Sequence, residues 1–142
     1  MLTTAIFPGR YVQGAGALSA LGEEAARFGG AALALLDPFV AKSLSGDIET
    51  ALAGKIEAAV ETFGGECCDP EIERLSAEAR SRRADVIIGI GGGKTLDTAK
   101  AVAHAGRLPV IVVPTLASTD APCSALSVIY TPSGAFDRYL IL

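Results

Sequence analysis

A single histidine, His104, is all the imidazole in this sequence of 142 residues. A zinc or iron site needs three or four ligands converging on one point, and one isolated histidine cannot supply it. Cysteine is scarce as well. Cys67 and Cys68 are adjacent and Cys123 stands alone, so there is no C-x-x-C or other metal-ligand spacing. Adjacent cysteines point to opposite sides of an extended chain and rarely pair, so reduced thiols are expected, as in a cytosolic protein. Basic charge is in deficit: the net charge is −4, which argues against nucleic acid, a ligand that demands a basic face. No apolar run approaches the roughly 18 residues needed to cross a bilayer. The longest, near Ala31–Leu36 and Leu108–Val113, have strand length. No basic segment followed by an apolar one opens the chain, so no secretory signal is read and a cytoplasmic location is expected. Internal repeats and low-complexity tracts are also missing.

What is present is enough apolar residue, 50% of the chain, to build one domain's core. Hydrophobic periodicity predicts alternating strands and helices. A short strand is expected near Thr4–Phe7. Leu18, Leu21, Ala25 and Phe28 fall at helical spacing, and Gly29-Gly30 stops that helix. Ala31–Leu36 reads as a parallel strand covered on both faces. A helix is expected around Asp47–Ala53, and a further apolar stretch runs from Ile56 to Phe63. Asp69 is placed to cap a helix reaching Arg83, with Pro70 at its first position. Arg80, Arg82 and Arg83 in its last turn suit a solvated face that complements the helix dipole better than a phosphate site. Asp85–Ile90 is a buried strand, Lys94–Ala105 a helix, and Pro109–Val113 another strand. Ala125–Tyr130 and Phe136–Leu142 flank Thr131-Pro132-Ser133-Gly134, a hairpin signature. The fold class is therefore α/β: a Rossmann-like parallel sheet flanked by helices, with an antiparallel hairpin appended near the C-terminus.

Ligands of such sheets bind at the carboxyl ends of the strands, where four segments follow apolar runs: Asp37, Gly89–Lys94, Pro114–Asp120 and the start of the hairpin. Three consecutive residues without Cβ, Gly91-Gly92-Gly93, let backbone N–H groups approach an anion, and the following helix adds its positive dipole end. Lys94 adds a full charge. The segment is neither G-x-G-x-x-G nor G-x-x-x-x-G-K-[ST], so spacing alone does not choose the ligand. Asp37, just past its strand, is placed to accept hydrogen bonds from a ribose diol and would repel a 2′-phosphate, which favours NAD over NADP. Asp before Pro38 is equally a turn former. Asp97 and Lys100, one turn apart, read either as site residues or as a surface ion pair. Thr115, Ser118, Thr119 and Asp120 form a loop rich in groups for ligand oxygens. His104, near the end of the glycine-loop helix, suits a role at its negative dipole end.

Gly89 to Lys100 and Pro114 to Tyr130, read together with Pro8–Gly14 and Phe63–Cys67, closely resemble the glycerol dehydrogenase family, within the iron-containing alcohol dehydrogenase superfamily. The likeness spans essentially the whole chain, and Lys94 separates it from relatives that usually carry serine there. The resemblance implies NAD-dependent oxidation of glycerol, or a related small polyol, to dihydroxyacetone. Asp37 would hold the adenosine ribose, and Gly92, Gly93 and Lys94 would surround the pyrophosphate with Asp97 nearby. Thr115 and Ser118 would line the adenine side and the pyrophosphate. Ser124, Leu126 and Tyr130 would contact the nicotinamide half, and Asp120 would face the polyol. Family members continue into a helical domain that carries a zinc ion on one aspartate and two histidines. Residues 1–142 are thus expected to be an NAD-binding domain whose sheet lacks its last strand, inactive alone, and homo-oligomeric when full length. The alternatives are a non-catalytic nucleotide-binding module, or a subunit completed by another chain. A sugar-phosphate lyase or glycerol-phosphate dehydrogenase is disfavoured, because those need cations on the substrate side where this chain offers Asp120.

Overall fold

Ala31–Leu36 forms strand β1 with five of its six residues buried, as a strand covered on both faces must be. The computed structural model describes residues 9–142, so the strand expected near Thr4–Phe7 lies outside the described residues. Four parallel strands make the main sheet: β2 (Glu57–Thr62), β1, β3 (Val86–Gly91) and β4 (Val110–Pro114), in that spatial order. Side chains alternate across it. Ala32, Ala34, Leu36, Val86, Ile88 and Ile90 face one layer, and Leu33, Leu35 and Ile87 face the other. The first layer holds a 3₁₀ turn (Ala17–Ala20), α1 (Leu21–Ala26), α2 (Pro38–Ser43) and α3 (Ser45–Leu52). The second holds α4 (Asp69–Ser81) and α5 (Gly93–Gly106).

Three local expectations change. The helix marked by Leu18 and Phe28 is a 3₁₀ turn followed by the six-residue α1; it ends before Phe28, which is 47% exposed. Asp37-Pro38, open to a turn by residue type, starts α2: Asp37 is its N-cap, and Oδ1 accepts the Phe39 N–H at 2.8 Å. Asp69 does not cap α4. Cys68 holds the N-cap position in extended conformation, and the Asp69 carboxylate accepts from Arg138 at 2.7 and 3.1 Å. That guanidinium holds the Asp69 carboxyl below its ordinary range. Arg80, Arg82 and Arg83 are exposed, with Arg82 paired to Glu78 at 2.7 Å, so they form the solvated face expected.

The hairpin, β5 (Leu126–Tyr130) and β6 (Phe136–Ile141), is a separate two-stranded sheet with no ladder to the parallel one. It docks on α5 through Ile129, packed with Cys67 and Ala101, and the Tyr130 N–H reaches the Cys67 carbonyl at 2.8 Å. Arg138 joins its second strand to α4. Among the described residues, side chains and isolated main-chain bonds fix the hairpin against the core.

At Gly89 the helix α5 lies close against the sheet. A Cβ there would lie 2.6 Å from the Ala99 Cβ, too near for either backbone to stay in place. Gly89→Ala is expected to destabilise the chain by about 1–3 kcal/mol, read as a lower urea midpoint at unchanged slope. Cys67 gives a second outcome. Burial pushes its thiol up from 9.0 to about 11, opposed by the Thr98 side chain and reinforced by the Asp97 charge. The folded state therefore keeps its proton where the unfolded state has lost it. This contribution is present below pH 9 and is lost as pH rises through about 11. Urea titrations across that range should show a flatter decline for Cys67→Ala than for the parent.

Candidate functional site

The strand order places β1 and β3 side by side, although the chain leaves β1 for β2 on one side and then crosses to β3 and β4 on the other. That reversal is the switch point of an open α/β sheet, and it leaves a crevice at the strands' carboxyl ends. Asp37 leaves β1 there and Gly91-Gly92-Gly93 leaves β3. The two are joined by the Asp37 N–H to the Ile90 carbonyl at 3.0 Å. Gly91 permits the approach: a Cβ would meet the Asp37 Cβ at 2.7 Å and Thr95 Oγ1 at 2.9 Å. Gly92 is the N-cap of α5 and offers no side chain to it. The first N–H groups of a helix have no partner within it, so they remain donors to an anion at the positive end of its dipole.

Two cavities meet at this helix end. One, of about 480 Å³, is lined by Asp37, Pro38, Phe39, Phe63, Gly92 and Thr95, among others. The second, of about 260 Å³, is lined by Asp97, Asp120, Ser124, Leu126, Val128 and Tyr130, among others. Gly93 and Lys94 belong to both. The site is thus a two-chambered cleft with the glycine turn at its waist.

Most residues expected at a site are brought together here. Asp37, Gly92, Gly93 and Lys94 border the first chamber; Gly93, Lys94, Asp97, Asp120, Ser124, Leu126 and Tyr130 border the second. Thr115 borders neither chamber, but its N–H bonds the Gly91 carbonyl at 3.0 Å, which sets its loop beside the glycines. Ser118 is exposed and outside both. Asp37 Oδ1 is occupied by its cap, while Oδ2 takes no hydrogen bond among the described residues. His104 is exposed in the last turn of α5. Among the described residues, no three His, Cys, Asp or Glu side chains gather as a metal set.

Two features were not legible beforehand. Asp97 and Lys100 are not a surface pair: their side chains are 8% and 6% exposed, 3.0 Å apart. Lys94 is not idle either. Its Nζ donates to Glu66 Oε2 at 2.7 Å and stands 4.7 Å from the Tyr130 ring centroid. Glu66 precedes α4, distant in sequence, and no local pattern marks it as the lysine's partner.

A family model, iron-containing alcohol dehydrogenase, matches residues 8–141. The chain belongs to the iron-containing alcohol dehydrogenase family. Its residues 1–142 are 59% identical to a glycerol dehydrogenase of Thermotoga maritima, over all of this chain and 39% of that protein. A solved structure of a probable glycerol dehydrogenase from Sinorhizobium meliloti superposes with a TM-score of 0.89 at 40% identity, covering 99% of this chain and 38% of that one. Sulfoacetaldehyde reductase of Bifidobacterium kashiwanohense, solved in complex with NAD+, shares the fold at 21% identity, with a TM-score of 0.84 over 99% of this chain and 43% of that one. This family member therefore spans about two fifths of the length of the curated relatives it matches.

The Glu66–Lys94 pair competes with any anion at the glycine turn. Glu66→Gln is expected to tighten binding of inorganic pyrophosphate by no more than about fivefold, since partly exposed pairs contribute at most about 1 kcal/mol. Calorimetric titration at two salt concentrations reads the gain, which should shrink at the higher one.

Proposed function

We propose that this chain is the cofactor-binding part of an NAD-linked dehydrogenase acting on glycerol or a related small polyol. The observation that carries the reading is the two-chambered cleft with Gly93 and Lys94 at its waist, since a dinucleotide is two nucleosides joined by a pyrophosphate. The partnerless N–H groups at the start of α5 fit that pyrophosphate, and Lys94 adds a cation once it leaves Glu66. Asp37 Oδ2 accepts from the adenosine ribose diol and repels a 2′-phosphate, so NAD is preferred to NADP. Thr115 and Ser118 flank the adenine and pyrophosphate from the loop after β4. Ser124, Leu126 and Tyr130 hold the nicotinamide half in the second chamber, where Asp120 receives a neutral polyol through its hydroxyls.

A nicotinamide held there by Ser124, Leu126 and Tyr130 would supply the hydride acceptor for oxidation of the alcohol carbon. The chain's own share of that chemistry is to orient the ring, to hold the diol beside it at Asp120, and to keep the pyrophosphate fixed. The zinc expected to polarise the alcohol finds no ligand set among the described residues. Turnover, homo-oligomeric assembly and a cytoplasmic location are parts of the same proposal for a full-length enzyme. They rest on likeness to relatives more than twice as long as this chain.

Calorimetric titration of NAD against the purified chain, with Asp37→Ala and Lys94→Ala alongside, tests the assignment. Each substitution removes a charge-assisted contact and should weaken NAD by about tenfold or more. Asp37→Ala should also narrow the preference for NAD over NADP. If both variants bind like the parent, the ribose and pyrophosphate roles are wrong. Circular dichroism accompanies Asp37→Ala, which also loses a helix cap of about 1 kcal/mol.

A further inference from the structure

Lys100 rises from α5 into a cage built by one neighbouring segment. Its Nζ donates to the main-chain oxygens of Ala121 at 2.9 Å, Ser124 at 3.2 Å and Leu126 at 2.5 Å, and to the Ser124 hydroxyl at 3.1 Å. Asp97, one turn earlier on the helix, sets its Oδ1 3.0 Å from the same nitrogen. The aspartate reaches the hairpin directly too: Oδ2 accepts the Val128 N–H at 3.1 Å, and its main-chain oxygen accepts the buried Ser127 hydroxyl at 2.8 Å. Every partner outside α5 lies between Ala121 and Val128, the stretch that forms the far wall of the second chamber. The near wall, Gly93 and Lys94, is the first turn of the same helix. No ladder joins the two sheets among the described residues.

We propose that Lys100, with Asp97 as its counter-charge, is a positioning residue that sets the width of the nicotinamide chamber by locking the Ala121–Val128 wall to the phosphate-binding helix. The proposal rests on the dinucleotide reading above. A buried ammonium suits the task because it has three donors and no acceptor, so it orders several carbonyls around one point. A kink in the wall would strip the buried ammonium of its bonds to the Ala121, Ser124 and Leu126 carbonyls, which resists drift.

A merely structural role would weaken all ligands together. A positioning role separates them, because ADP needs only the first chamber and the glycine turn, whereas NAD also needs the second. In Lys100→Met, NAD affinity is expected to fall about tenfold while ADP affinity stays within about twofold. Ser127→Ala, a milder change that removes one hydrogen bond to α5, should lower NAD affinity about threefold with ADP again unchanged. Equal losses for NAD and ADP, or no loss for NAD, would overturn the proposal. Should Lys100→Met fail to fold by circular dichroism, Ser127→Ala decides by the same ratio.

Amide hydrogen exchange on the ligand-free chain gives an arm that needs no nucleotide. Exchange at Val128 should quicken about tenfold in Lys100→Met, with Val86–Gly91 at the parent rate. Uniform acceleration, or none, counts against the lock. If the parent itself binds neither ADP nor NAD, the dinucleotide reading fails, and exchange alone then decides whether the wall is held by Lys100.

Discussion

Two sheets without a common ladder have to be aligned by something other than main-chain pairing, and in this chain the alignment runs through a buried charge. An ammonium taken out of water loses several kcal/mol of hydration, and its attraction to one carboxylate seldom offsets that unless further hydrogen bonds fill the remaining donors. At Lys100 they do: main-chain oxygens of Ala121, Ser124 and Leu126 stand around the nitrogen, with Asp97 beside it. Removing one partner of such a pair characteristically costs about 3–5 kcal/mol, because the other charge stays buried. The arrangement gains little over an apolar core in raw stability. It gains geometry, since carbonyls converge on a donor in few ways, while leucines pack in many.

The other fixed point is the switch between β1 and β3. Parallel neighbours with crossovers leaving on opposite sides open a crevice that no helix fills. Both the acid and the glycine turn come from there, Asp37 from one strand and the glycines from the next. The chain's net charge of −4 gives no general attraction for an anionic ligand. Selectivity is local: backbone N–H groups at the start of α5, and a lysine whose charge is held in reserve by Glu66 over the Tyr130 ring. For Lys94 to meet an anion at the turn it need only exchange the Glu66 carboxylate for it, so its charge is already positioned there.

Local patterns were most legible where the chain follows one rule at a time. The apolar run Ala31–Leu36 is a strand because five consecutive buried residues need cover on two faces. The glycine run marks the strand-to-helix turn, where Gly91 has to lack a Cβ for Asp37 and Thr95 to come so near. Legibility failed where two rules competed. Asp37-Pro38 satisfies both a turn and a helix start, and packing of Val40 into the core favoured the helix. Asp69 is a good cap by type, yet Arg138, remote in sequence, claims its carboxylate. Phe28 continues the helical spacing of Leu21 and Ala25, but α1 closes before reaching it.

Spacing on α5 put Asp97 and Lys100 on one face, and nothing in that spacing distinguishes a surface pair from a buried lock. Burial depends on what lands on the helix, and what lands is a hairpin more than twenty residues further along the chain. The same holds for Glu66 at Lys94. By itself, then, the sequence determined the elements, the glycine turn, and the acid and lysine at its edges, since each follows from residue type and short-range periodicity. Only the tertiary structure decided which charges face each other, because that depends on the meeting of segments whose separation in the chain carries no period to read.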